Sequence, residues 1–113
     1  MKKILCLLPI ILVTSCSVVP KCNFVDTGEP TFKYIKTQTD ESLQAVIKAY
    51  ETNEEEIKKK PGICLASPGF YGEYGFLLMQ NGQNDVGRQL MRKEIELYPE
   101  SKPFMLRALG EKE

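Results

Sequence analysis

Residues 71–99 read YGEYGFLLMQNGQNDVGRQLMRKEIELYP and decide the fold predicted for this chain. Large apolar residues recur three and four positions apart on both sides of Gly82, and this spacing is typical of amphipathic helices. Gly82 interrupts the first helical pattern and Pro99 ends the second, so the segment is expected to form an antiparallel helical hairpin. The small residues Gly75 and Gly87 would let the two helices cross closely.

The ends and inward faces of the hairpin helices are also predicted from the sequence. Ser67 offers a hydroxyl cap and Pro68 suits the first helical position, so the first helix is predicted to open there. Asn84 is expected to cap the second helix, which would run from Asp85 to about Tyr98. The residues expected to face inward are Tyr71, Tyr74, Gly75 and Leu78 on the first helix and Val86, Leu90, Met91 and Leu97 on the second.

The segments on either side of the hairpin extend the helical prediction. Apolar residues repeat at helical spacing from Leu43 to Ile57, and Pro61 follows, so a helix is predicted over residues 39–60. Ser101 is expected to cap a short last helix. Residues 31–36 suit either a short strand or a single helical turn. The prediction is an all-α domain over residues 31–113, in which a hairpin at about 68–99 is covered by a packing helix.

The first sixteen residues indicate export and lipid attachment. Lys2 and Lys3 precede a ten-residue apolar run, which is too short to span a membrane and is typical of a signal peptide. Val13-Thr14-Ser15-Cys16 resembles the lipobox of bacterial lipoproteins, which predicts a signal peptide over residues 1–15 and lipidation, palmitate included, at Cys16. An ordinary secretory signal that contains a cysteine is the alternative. Residues 16–30 lack periodicity and are interpreted as a lipidated tether.

Location and composition limit the function classes. In the sorting rule of two-membrane bacteria, a residue other than aspartate after the lipidated cysteine indicates the outer membrane, here on its periplasmic face, and Ser17 stands there. The mature chain would carry 13 basic and 15 acidic residues, which offers no basic stripe for nucleic acid. Histidine, the commonest general base and metal ligand, is absent. We therefore predict no metal, no cofactor and no catalytic residue.

Two cysteines would remain in the mature domain after lipidation of Cys16. Cys22 and Cys64 are a candidate disulfide in an oxidising periplasm. Closing the loop between them would contribute about 4 kcal/mol in the chain-entropy description. A pair of free thiols and a metal pair are the alternatives, although two thiolates without histidine make a poor zinc site.

Residues 71–99 resemble one tetratricopeptide repeat. Tyr71, Tyr74 and Gly75 stand where that pattern has an aromatic residue, a leucine and a glycine, and Pro99 stands at its closing proline. Glu94 departs from the pattern, because a small alanine is usual there. A carboxylate at that inward position needs a partner or water.

A narrower resemblance covers about residues 60–109. Its motifs are Pro68-Gly69-Phe70-Tyr71, then Leu97-Tyr98-Pro99-Glu100-Ser101, then Phe104-Met105. They resemble an uncharacterised bacterial lipoprotein family, the domain of unknown function number 4810. Gly72, Glu73 and Gly87 depart from it, because alanine or histidine is expected there. Members are typically encoded beside a lipoprotein resembling the curli secretion channel and a second small lipoprotein, so the resemblance implies an envelope assembly and no chemistry.

These features predict a non-enzymatic interaction or assembly factor in an envelope lipoprotein complex, with other envelope lipoproteins, one of them curli-channel-like, as expected partners. The candidate partner-binding residues are Tyr71, Tyr74 and Phe76, although most of them are expected in the core. One alternative is an activator or structural accessory of a cell-wall enzyme. A second is a hydrolase that uses an isolated carboxylate. Glu94 and Glu96 are two positions apart on a helix and therefore do not face each other.

Overall fold

The computed structural model describes residues 21–112. These residues are all helical and contain no strand, which confirms the predicted fold class. The predicted signal peptide and the predicted lipidation site, Cys16, lie outside the described residues. The helices are α1 (Gly28–Thr37), α2 (Asp40–Lys59), α3 (Phe70–Gln80), α4 (Asn84–Leu97) and α5 (Lys102–Leu109), with a 3-10 turn at Pro99–Ser101 before α5.

Helix α1 is longer than the sequence predicted and starts within the segment interpreted as a tether. It has ten residues, where a strand or a single helical turn was expected at 31–36. The Asp26 carboxylate accepts hydrogen bonds from the backbone N–H groups of Gly28 and Glu29, at 3.1 and 3.0 Å. These bonds satisfy donors that the first turn of a helix otherwise leaves unpaired, and they hold the pKa of Asp26 below its ordinary value.

Helix α2 begins and ends where its sequence pattern predicts. The Thr39 hydroxyl accepts from the Ser42 N–H, and the Ser42 hydroxyl accepts from the Thr39 N–H, so the two residues form a reciprocal capping box. The helix stops at Lys59, just before Pro61. Its apolar stripe is buried against α3, which makes α2 the packing helix over the hairpin.

Helix α3 begins at Phe70, so Ser67 and Pro68, where the sequence predicted its start, both precede the helix. Gly69 occupies the cap position with φ of 95°, a left-handed conformation that glycine adopts at little cost. Glycine has no side chain that could accept a hydrogen bond from the first N–H groups of α3, and the acceptor comes instead from α4, as described below. The turn at Gly82 is where the sequence placed it.

Helices α3 and α4 cross with their backbones in direct contact. A Cβ atom built on Gly75 would lie 2.5 Å from the carbonyl oxygen of Gly87, and a Cβ on Gly87 would lie 2.5 Å from the carbonyl oxygen of Gly75. Any side chain at either position therefore forces the helices apart. This contact is the close crossing that the two glycines predicted.

The inward face of α4 differs from the prediction in two of its four residues. Val86 and Leu97 are about half exposed, whereas Gly87, Met91 and Glu94 are buried. The buried three lie four and three residues apart, so they form one narrow stripe that faces α3 and α5. Val86 and Leu97 lie outside it because the tight crossing at Gly87 sets the rotation of the helix.

Two apolar clusters make up the interior. The larger lies between α2 and α3, and the smaller lies between α4 and α5 around Met91, Met105 and Leu109. Tyr50 and Tyr74 stack across the larger cluster with ring centroids 5.7 Å apart. Within residues 21–112, no helix has the length and apolar character needed to cross a membrane.

Candidate functional site

An apolar groove lies where α1, α3 and α5 converge. We call it the α1–α3–α5 groove; its volume is about 310 Å³. Leu77, Met91 and Met105 are buried residues of its lining. Ile35, Phe76 and Phe104 supply one exposed apolar side chain from each helix.

These three side chains are exposed to an extent that decides the interpretation of the groove. Ile35 is 65% exposed, Phe76 is 49% exposed and Phe104 is 64% exposed. Single exposed apolar residues are common on protein surfaces, but several around one concave apolar surface mark a binding site. The arrangement therefore suits an apolar side chain or short apolar segment.

Glu73 is the charged residue of the groove lining. Its carboxylate accepts a hydrogen bond from the Tyr50 hydroxyl, which arrives from α2. Burial raises the pKa of Tyr50 to about 12, and the bond to Glu73 acts in the same direction. The phenol thus keeps its proton at neutral pH and fixes the carboxylate at the side of the groove. The carboxylate contributes almost no surface to the groove itself, so a bound segment would meet an apolar surface.

Two of the three candidate partner-binding residues are unavailable to a partner. Tyr71 is 2% exposed and Tyr74 is 6% exposed, so both belong to the interior. Tyr74 packs between α2 and α3 beside Tyr50, and Lys93 covers the Tyr71 ring with its Nζ atom 4.2 Å from the ring centroid. Phe76 points the other way and lines the groove. The candidate set is corrected accordingly: Phe76 remains, and Tyr71 and Tyr74 are core residues.

The buried Glu94 has a structural partner, which the sequence left unidentified. Its two carboxylate oxygens accept hydrogen bonds from the backbone N–H groups of Gly69, at 2.5 Å, and Tyr71, at 3.1 Å. Glu94 is 1% exposed, so α4 supplies the N-terminal cap of α3 from within the fold. A carboxylate is also the favourable charge at a helix N-terminus. This carboxylate is therefore engaged in holding the hairpin together.

Cys22 and Cys64 are joined by a disulfide, with their Cα atoms 5.6 Å apart. Among the alternatives open at the level of the sequence, the structure thus contains the disulfide and not free thiols or a metal pair. The bond attaches the segment before α1 to the loop after α2. Within residues 21–112, no group of three or more cysteine, aspartate or glutamate side chains is arranged so that it could hold a metal ion.

Sequence reasoning missed Ile35 and Phe104 as groove residues. Both belong to apolar runs whose other members are partly or fully buried, Tyr34 in α1 and Met105 in α5. One signal for Phe104 was available in the sequence, because α5 carries apolar residues on two faces. A helix this short at the edge of a fold buries only one of its faces. The second face, with Phe104, was the candidate surface.

Comparison with known proteins identifies the family. No curated protein and no solved structure matches the chain. The profile of one family, described as a domain of unknown function (DUF4810), matches residues 27–107 and so spans α1 to α4 and most of α5. The resemblance drawn from residues 60–109 is thereby confirmed and extends to the first two helices. Because the match covers well over half of the sequence, the chain belongs to the DUF4810 family.

Proposed function

We propose that the protein is a non-enzymatic assembly factor of the bacterial envelope, attached to the outer membrane through a lipid on Cys16. In this proposal the α1–α3–α5 groove binds an apolar segment of a second envelope lipoprotein. The observation that carries the proposal is the exposure of Ile35, Phe76 and Phe104 around an apolar floor.

The size and chemistry of the groove indicate the kind of segment it accepts. Its volume of about 310 Å³ is at the lower end of the range for binding pockets, enough for one or two large side chains. Amphipathic helices present such side chains at positions i and i+3 or i+4 when they bind in grooves. The expected partner segment is therefore a short amphipathic helix with apolar residues at this spacing.

The cellular part of the proposal is supported by the first residues of the sequence. The lipobox-like Val13-Thr14-Ser15-Cys16 predicts the lipid, and Ser17 predicts the outer membrane on its periplasmic face. The family resemblance implies neighbouring lipoproteins, one of them similar to the curli secretion channel. A partner held at the same membrane meets the groove at a high effective concentration, so a small groove suffices for a stable complex.

Site-specific photo-crosslinking in intact cells tests this proposal. A photoreactive amino acid replaces Phe104 in the groove, and a second variant carries it at Gln89, an exposed position of α4 outside the groove lining. We expect a defined envelope lipoprotein to be crosslinked from position 104 and not from position 89. The crosslink should disappear in the Cys16→Ala background, because the unanchored protein loses its local concentration.

Three results would contradict the proposal. They are the same partners from positions 104 and 89, no protein partner from position 104, or a crosslink that persists undiminished in Cys16→Ala. Recovery of a cell-wall synthase as the specific product would replace the assembly role with that of an enzyme activator.

A further inference from the structure

A second exposed surface lies between the end of α2, the loop after it and the end of α4. We call it the anchor-side surface, defined by Lys58, Leu65, Lys93 and Leu97, which line one open groove of about 440 Å³. Leu65 also lines a smaller neighbouring groove together with Phe24. None of the residues that line these two grooves belongs to the α1–α3–α5 groove.

The apolar part of this surface is prominent. Leu65 is 67% exposed, and Leu97 and, at the neighbouring groove, Phe24 are each about half exposed. Leu65 and Phe24 lie in loops, so they are not held in the apolar face of a helix. Such side chains enter the boundary between lipid headgroups and acyl chains when a protein lies on a membrane.

The charged part of this surface is basic. Residues 57–66 read IKKKPGICLA and contain three lysines without an acidic residue. Lys58 and Lys60 pair with Glu54 and Glu56 of α2, at 3.2 and 2.5 Å, but the Lys58 side chain remains 67% exposed. Lys93 lies on the Tyr71 ring at the same groove. Long lysine side chains on an apolar surface place their charges at the level of lipid phosphates.

The chain enters the domain at this same place. The Lys60 Nζ atom donates to the Lys21 carbonyl oxygen at 2.7 Å, and Cys64, which lines the larger groove, is bonded to Cys22. Cys16 is five residues before Lys21, so even a fully extended chain places it within about 18 Å of Lys21. A lipid on Cys16 therefore holds the membrane close to the anchor-side surface.

We propose that the anchor-side surface lies against the anionic phospholipid headgroups of the membrane that carries the Cys16 lipid. Leu65 and Leu97 enter the interface, and the exposed Lys58 faces the phosphates. This inference rests on the lipid attachment of the proposed function and adds an orientation to it. The α1–α3–α5 groove, lined by other residues, stays available to a protein partner.

Fluorescence quenching of the lipidated full-length protein in vesicles tests the orientation. The chain has no tryptophan, so the single variants Leu65→Trp and Phe104→Trp each report one surface. The two positions are matched in exposure, at 67% and 64%. In vesicles of phosphatidylethanolamine and phosphatidylglycerol with brominated acyl chains, we expect Leu65→Trp to be quenched roughly twofold or more, because an interfacial side chain reaches the acyl boundary. Phe104→Trp should keep its full intensity.

A lysine variant separates the electrostatic part. Each lysine near an anionic surface strengthens binding roughly fivefold, so Lys58→Gln should reduce the quenching of Leu65→Trp towards that of Phe104→Trp. The same reduction is expected in vesicles of phosphatidylcholine alone. Quenching that is unchanged in both would overturn the role of Lys58.

The remaining outcomes distinguish this inference from the proposed function. Equal quenching at both positions, no quenching at either, or stronger quenching at Phe104→Trp overturns the orientation. Flotation of the vesicles before the measurement tests the attachment itself. If the wild-type protein does not float with them, the lipid anchor is absent, and the proposed function and this inference both fail.

Discussion

The α3–α4 hairpin and the N-terminal segment, residues 22–27, are attached to the fold by opposite means. The hairpin depends on the absence of side chains at Gly75 and Gly87, which lets the backbones of α3 and α4 come into contact. The N-terminal segment contains no helix, and it is held to the fold by a disulfide and by hydrogen bonds to side chains. Its attachments are the Cys22–Cys64 disulfide and hydrogen bonds to Asn53 and Glu56 of α2.

This difference predicts different responses to substitution. A contact between backbones cannot be repacked, so the hairpin should be sensitive to a single added methyl group. The N-terminal segment consists of separate attachments, and each of them should be removable at its own cost. The hairpin carries one wall of the groove, whereas the segment joins α1 to the loop after α2.

Removal of the disulfide should have the largest effect on stability. The double variant Cys22→Ser, Cys64→Ser is expected to lower the free energy of unfolding by about 4 kcal/mol, because the cysteines are 42 positions apart in the sequence and the bond between them restrains the unfolded chain. Urea unfolding of the two proteins measures the difference. The wild type under reducing conditions is the control and should lose a similar amount. A loss below about 1 kcal/mol would mean that the other attachments already hold the segment.

Addition of one methyl group at the helix crossing should have the next largest effect. In Gly75→Ala the new Cβ would meet the Gly87 carbonyl oxygen at 2.5 Å and the Met91 backbone nitrogen at 3.2 Å. Because neither atom is the end of a flexible side chain, the variant should lose about 3 kcal/mol. Gly28→Ala, at the exposed start of α1, is the control and should change the thermal midpoint little. Equal behaviour of the two variants would refute the close crossing.

Alteration of the cap supplied by Glu94 should have a smaller effect on the same hairpin. Glu94→Gln keeps one acceptor oxygen and turns the other into an amide donor, so one of the N–H groups of Gly69 and Tyr71 loses its acceptor. We expect a loss of about 2 kcal/mol in urea unfolding. Glu96→Gln, at an exposed position two residues later, should change stability by less than about 0.5 kcal/mol. If the Glu94→Gln protein were as stable as the Glu96→Gln protein, the Glu94 carboxylate would not stabilise the start of α3.

The helices could be predicted from the sequence where their signals are local. Helix α2 has its cap residues, its apolar stripe and its terminating proline within the helix or next to it, and its predicted ends are correct to one residue. The start of α3 was predicted wrongly, because its acceptor is Glu94, 25 residues from Gly69 in the chain. The prediction of which residues of α4 face inward was partly wrong for a similar reason, since the contact between Gly75 and Gly87 decides the rotation of that helix.

The groove could be predicted from the sequence only in part. Phe76 was a candidate because aromatic residues are concentrated in α3. Its neighbours Tyr71 and Tyr74 carry the same chemical signal but lie in the core, Tyr74 against α2 and Tyr71 beneath Lys93 of α4. Ile35 and Phe104 come from helices far apart in the chain. Their proximity depends on the tertiary arrangement of α1 and α5, for which the sequence pattern contains no information.

Acidification should produce the smallest effect, by weakening one attachment of the N-terminal segment. The Glu56 carboxylate accepts from the Asn23 N–H at 3.0 Å and pairs with Lys60, and these bonds hold the pKa of Glu56 below its ordinary value of 4.5. A carboxyl group whose pKa is lowered by folding stabilises the folded state above that ordinary value. The contribution is lost as the pH falls through the lower pKa of the folded state.

Nuclear magnetic resonance between pH 7 and pH 3 measures this effect at individual residues. The amide resonance of Asn23 should shift with a midpoint below 4.5. In Glu56→Gln the Asn23 shift should no longer follow a carboxyl titration. A midpoint at or above 4.5 would mean that Glu56 does not hold Asn23. The N-terminal segment would then be attached only through the disulfide and Asn53.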